Sequence, residues 1–332
     1  MVGAVGRLPR RQHATPDGRQ DVPRPSDQRV GREDPEEPDR PLMRLRSIRL
    51  TPYLFIAPFF VVFGAFGLYP LIYALQLSFM HWRGGSQARW VGFDNYLFLL
   101  TNSDFWASLG NSAVMWLLIV PLQIIAGLGG AVLLANAKLR LRGFFRVAFI
   151  APFVTPIVAM AQVWIVVFDQ DYGLVNYLLN LVGLPDVAWL TSTAWSKPTL
   201  ALLFLWKTTG FAIIILLAGL QAVPGGVYEA ASLDGASRWR QFWSITVPLV
   251  RRSMAFLVVI QTLAVFQMFA EPHVVTEGGP YGSTTTAGLY LYEHITASDL
   301  GTGAANSFLL VLLVFGLSLV SVRMLRPKDE VS

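Results

Sequence analysis

Lys207 is the residue whose position most invites a chemical role, because it is the sole charged residue between Pro198 and Tyr228. An ammonium is costly to bury there, so it faces a cavity or a partner, or else extends its stem to the membrane interface. Both readings stay open on sequence alone. Phe204, Lys207, Thr208 and Phe211 recur at i, i+3, i+4 and i+7 and share one helix face. Gln261, Ala264, Val265 and Met268 form a comparable stripe in a later apolar run. Gln261 can donate and accept hydrogen bonds, either to a ligand or across to a neighbouring helix.

Other chemistries are excluded by the residues available. With no Cys there are no disulfides, thiolate zinc sites, iron–sulfur clusters or cysteine nucleophiles. His13, His81, His273 and His294 are dispersed without metal-ligand spacing, so no metal site is expected. Neither a G-x-S-x-G elbow nor a paired-carboxylate arrangement suggests an active site. None of Lys138, Lys197, Lys207 and Lys328 follows a Gly, so the chain has no phosphate-binding loop and cannot hydrolyse ATP by that route. It is read as a non-enzyme without a cofactor of its own.

The elements that position these residues are membrane helices. Of 332 residues, 54% are hydrophobic and 14% charged, a profile of membrane-embedded proteins. The net charge of +5 falls in short clusters between apolar runs, which orients a membrane protein and does not point to nucleic acid. Runs free of Asp, Glu, Lys and Arg extend over residues 50–82, 105–137, 147–168, 208–228, 253–270 and 302–322. Each meets the roughly 18 to 20 residues needed to cross a bilayer core. The fourth helix is placed near 199–221, and six spans are expected, with Gly127, Gly129 and Gly130 read as close packing.

Arg44, Arg46, Arg49, Lys138, Arg140, Arg142, Arg146, Arg238, Arg240, Arg251, Arg252, Arg323, Arg326 and Lys328 fall on one set of loops. The acids Asp94, Asp104, Asp169, Asp171, Asp186, Glu271, Glu277, Glu293 and Asp299 fall on the other, which predicts both termini on the cytoplasmic side. No acid is expected inside a span. The domain reading is a disordered tail over 1–48, a first helix and outer loop over 49–106, and a five-helix unit over 107–325 with a cytoplasmic loop at 225–248.

That loop runs from Tyr228 to Pro248 and carries the most specific signal. Ala230 and Ala231 let another surface approach closely, and Glu229 offers a carboxylate near the positive end of a helix dipole. Gly235 permits a chain reversal, Trp239, Phe242 and Trp243 recur at helical spacing, and Pro248 is expected to open the next membrane helix. An interfacial helix with aromatics at headgroup level is the plainer alternative.

Glu229, Ala230, Ala231, Gly235, Ile245 and Pro248 resemble the E-A-A-x3-G-x9-I-x-L-P loop of permease subunits in binding-protein-dependent ABC importers, with Val247 where Leu is usual. Asp234, Gly235 and Ala236 with the downstream aromatics resemble the carbohydrate branch, which includes the maltose and glycerol-phosphate permeases. Residues 53–58, 90–96 and 276–280 resemble that branch's first helix, first outer loop and last outer loop.

The resemblance implies an all-α type I ABC importer permease of six transmembrane helices in a bacterial inner membrane. Its partners would be a second homologous permease, two cytoplasmic ATPase subunits that bind the ATP, an extracytoplasmic solute-binding protein, a small sugar and membrane lipid. Glu229, Ala230, Ala231, Asp234, Gly235 and Pro248 would couple to the ATPase. Phe204, Lys207, Thr208, Phe211, Gln261, Val265 and Met268 would line the substrate pathway, where an aromatic ring can stack on a sugar.

A membrane-anchored interaction or sensor protein without transport is the alternative. A secondary transporter would normally carry intramembrane carboxylates. The basic stretch Met43 to Arg49 directly before the first apolar run suggests that translation begins at Met43. The native protein's intact mass should then lack residues 1–42, and a mass that includes them contradicts this start.

Overall fold

The computed structural model describes residues 51–85, 87–135 and 140–325. The tail over 1–48 with Met43, the basic residues Arg44, Arg46 and Arg49, and Lys138, Arg326 and Lys328 lie outside the described residues. Backbone contacts divide the chain into residues 1–56, described only from Thr51 as the opening of a helix, and residues 57–332, which carry the fold.

Apolar runs in hydrocarbon must satisfy their own backbone groups, and here they do so as helices. Four continuous ones are long and apolar enough to cross a membrane: Tyr53–Ser78 (α1), Ser103–Ala135 (α3), Ser196–Gln221 (α7) and Leu300–Leu325 (α12). Asp94–Thr101 (α2) precedes α3, and Leu174–Leu181 (α6) precedes α7. A two-residue hairpin, Met80–His81 against Arg89–Trp90, is the only sheet among the described residues.

The third expected span is not straight. Arg142–Val154 (α4) and Ile157–Val167 (α5) meet at 96°, so residues 147–168 form a bent pair. The cause is local: Thr155 precedes Pro156, the ring of a proline drives its predecessor out of the α region, and Thr155 has ψ 132°. A second bend lies at the entry to the fifth span, where Arg238–Leu249 (α9) meets Arg251–Phe266 (α10) at 63°. The described residues therefore hold four to six spans, according to whether each bent pair crosses once.

Two π-helical turns share one cause. Gly64–Leu68 within α1 is closed by Tyr69 N–H to the Gly64 carbonyl, and Phe242–Thr246 within α9 by Val247 N–H to the Phe242 carbonyl. In each case proline follows immediately, at Pro70 and Pro248. Proline lacks a donor and its ring clashes with the carbonyl four residues back, and the wider turn makes room for it. Pro248 thus sits inside α9, and the membrane helix α10 begins only at Arg251.

The centre of the bundle is the contact of α3 with α7. A Cβ on Gly127 would meet Ala212 and Leu216, and one on Gly130 would meet Ile213, whereas Gly129 faces open space. Two of the three glycines therefore serve close packing. Trp116 on α3 donates from Nε1 to Thr262 Oγ1 on α10 at 2.9 Å, which joins the third helix of this core. Helix α4 approaches α7 so closely that a Cβ at Gly210 would run into the Phe149 carbonyl.

Gly210→Ala should therefore lower the stability of the detergent-solubilised protein by about 1–3 kcal/mol, the usual cost of overpacking. Gly129→Ala should stay within about 0.5 kcal/mol of the wild type. A thermal unfolding series checks the pair, and equal behaviour of the two variants contradicts the packing account.

Candidate functional site

Lys207 lies near the middle of its helix. Because α7 starts at Ser196, Lys207 sits eleven residues in, about 17 Å along the axis at 1.5 Å per residue. Its ammonium lies 3.2 Å from Glu271 Oε1, with the two side chains 19% and 7% exposed. Lys207 is the one charged residue in the interior of the four continuous spans.

Glu271, expected in an outer loop, is buried and belongs to Ala270–Thr276 (α11), a short helix that restarts after α10 ends at Phe266. The carboxylate occupies the first turn of α11, where the helix dipole favours negative charge. One signal could have found it. A lone intramembrane cation calls for a carboxylate, and Glu271 is the acid next to the adjoining apolar run.

The remaining pathway residues divide by burial. Phe204, Val265 and Met268 are buried in one hydrophobic cluster with Met115, Ile119 and Leu203. Thr208 donates to the Phe204 carbonyl at 2.7 Å and accepts from Gln123 Nε2 at 2.9 Å, so its hydroxyl is committed within the protein. Phe211 is half-buried and stacks on Phe153 of α4, ring centroids 5.0 Å apart and 8° from parallel. Gln261 is buried with no hydrogen-bond partner at Nε2, a costly arrangement that marks the atom as a free donor inside the bundle.

A cavity of about 480 Å³ opens beside α11, lined by Ile165, Phe168, Asp169, Asp171, Thr191 and Val274 to Glu277 among others. Val274 is three residues beyond Glu271, about one turn along α11. Thr191 precedes α7 and the loop at 225–248 follows it, so the 26-residue helix sets cavity and loop about 39 Å apart.

The loop itself is built around Gly225–Leu233 (α8), which starts after extended Pro224. Glu229, Ala230 and Ala231 accordingly fall in its second half, not at its start. Gly235 has φ +75°, Ala236 N–H donates to the Ala231 carbonyl at 2.9 Å and Gly235 N–H to the Ser232 carbonyl at 3.1 Å. These are the paired bonds of a Schellman cap, and the left-handed residue in it is the reason for glycine. Gln241 Nε2 donates to Ser232 Oγ at 3.0 Å and to the Ala236 carbonyl at 2.9 Å, which ties α9 to the cap. Glu229, Ala230, Asp234 and Gly235 are exposed, with Leu233 89%, Trp239 71% and Trp243 53% exposed beside them. Such a patch of exposed apolar residues marks an interaction surface, for another protein or for lipid headgroups.

Residues 123–327 match the protein family described as "Binding-protein-dependent transport system inner membrane component". The chain is 32% identical to the sulfoquinovosyl glycerol transport system permease protein of Agrobacterium fabrum, over 85% of this chain and 92% of that one. It is 31% identical to the trehalose/maltose transport system permease protein of Thermococcus litoralis, over 86% and 95%. A bacterial ABC transporter involved in the import of the acidic polysaccharide alginate has a chain of the same fold, with TM-score 0.71 at 23% identity, covering 83% of this chain and 95% of that one.

Removing one partner of a buried ion pair leaves the other charge uncompensated. Lys207→Met should therefore cost about 3–5 kcal/mol of stability, and the double variant Lys207→Met/Glu271→Leu should recover most of it. Chemical unfolding of the purified protein measures both, and a harmless single variant contradicts the pairing.

Proposed function

The chain belongs to the family of inner membrane components of binding-protein-dependent transport systems, and from that premise we propose that it is the permease subunit of an ATP-driven importer for a sugar or sugar derivative. A second, homologous permease completes the translocation pathway. Two cytoplasmic ATPases supply the energy, and an extracytoplasmic binding protein delivers the cargo. Both termini and the loop at 225–248 face the cytoplasm.

The observation that carries this reading is the exposed, rigidly capped loop at the end of α7. Closure of the ATPases displaces α8, seated on them through Glu229, Ala230, Ala231 and Asp234. The cap at Gly235 and the bonds from Gln241 transmit that displacement into α9 as one body. Tyr228 and Thr246, whose hydroxyls lie 3.1 Å apart, add a second tie between the two helices. Helices α7 and α10, on either side of the loop, then rearrange around Lys207, Phe211 and Gln261, and the pathway opens to the other side. The chain itself performs no chemistry on ATP or cargo.

A membrane-anchored interaction protein would need the exposed loop alone. The Lys207–Glu271 pair and the unpartnered Gln261 amide, both costly inside the bundle, would then have no use.

The test is substrate-dependent ATPase activity of the reconstituted complex, with its binding protein and a panel of sugars. One sugar should stimulate the wild type, and the stimulation should disappear in Gly235→Asp. Space for a Cβ is open at Gly235, so the variant acts through the left-handed backbone, at a strain of roughly 1–2 kcal/mol, and through a new negative charge at a helix C-terminus. An intact complex that responds to no sugar refutes the reading.

A further inference from the structure

The charges on and beside α11 are arranged against anions. The cavity beside α11 is lined by Asp169, Asp171 and Glu277 and by no Lys, Arg or His. One turn back along α11, the single cation in the interior of the four continuous spans is already neutralised, Lys207 by Glu271 at 3.2 Å. An anionic cargo entering by this cavity would meet three carboxylates and would then have to displace Glu271 from Lys207. The displaced carboxylate, 7% exposed, would be left buried and unpaired. A neutral polyol has no such obstacle. Its hydroxyls can donate to the Glu271 carboxylate and accept from the Lys207 ammonium while the pair stays closed.

Resting on the sugar-permease reading above, we infer that the Lys207–Glu271 pair is a charge filter, and that the cargo is an uncharged sugar or polyol in place of a uronate, sulfonate or sugar phosphate. Glu271 is then a specificity-determining residue. It holds the ammonium in a form that serves hydroxyls and denies it to anions.

The experiment uses the whole reconstituted complex at saturating binding protein. Its panel sets glucose, galactose, maltose, lactose, xylose and glycerol beside glucuronate, galacturonate, glucose 6-phosphate and glycerol 3-phosphate. The sugar that stimulates ATP hydrolysis most should be neutral, with the anionic counterparts at least about tenfold weaker. In Glu271→Gln, which leaves Lys207 unpaired, the ratio of anionic to neutral stimulation should rise by about tenfold. In Lys207→Gln/Glu271→Gln, neutral inside, it should return toward the wild-type value. An anionic sugar as the best stimulator overturns the charge filter and leaves the sugar-permease reading standing, as does an unchanged ratio in Glu271→Gln. No response to any member, with the complex intact, overturns both.

Discussion

The ion pair between Lys207 and Glu271 is the constraint around which the interior is arranged. An isolated ammonium about 17 Å along a membrane helix is hardly tolerable. The chain meets this by ending α10 at Phe266 and starting α11 at Ala270, which brings a carboxylate in the first turn of a short helix against α7. A continuous fifth helix would have carried Glu271 onward along its own axis. The break after α10 is therefore as much part of the site as the two charges, and α11 then walls the cavity through Val274 to Glu277.

Prolines and glycines arrange the rest. Pro156 bends α4 from α5, while Pro70 and Pro248 each follow a π turn that gives the ring its space. Glycine does the opposite work, bringing α3 and α4 into contact with α7 through Gly127, Gly130 and Gly210. The helix that carries Lys207 is thus held on two sides by close packing and on a third by the ion pair. A displacement entering from the capped loop at its C-terminal end would meet a stiff element.

Much of this was legible in the sequence. Long uncharged runs mark membrane helices because hydrocarbon imposes length and composition together, and the loop around Gly235 is legible because its left-handed cap needs glycine whatever surrounds it. What escaped was whatever depends on the path of the chain. The bend at Thr155 lay inside a run apolar enough to pass for one span, and Pro248 read as a helix start because a π turn leaves no mark in composition. Glu271 was assigned to a loop since a charge at the end of an apolar run is usually solvated, and only the return of the chain shows it facing Lys207. Spacing puts Thr208 on the face of Lys207, and only the packing of the helices shows that Gln123 bonds its hydroxyl.

The central claim is that Lys207 and Glu271 pair inside this permease, so that two like charges at the site block transport, irrespective of which side carries which sign. Uptake of the stimulating sugar into proteoliposomes by the charge-reversed set tests it most directly. Lys207→Glu and Glu271→Lys, each leaving two like charges together, should both abolish uptake, and Lys207→Glu/Glu271→Lys should restore a substantial part of it. If either single reversal transports as well as the wild type, or the double reversal stays inactive in an intact complex, the account is wrong.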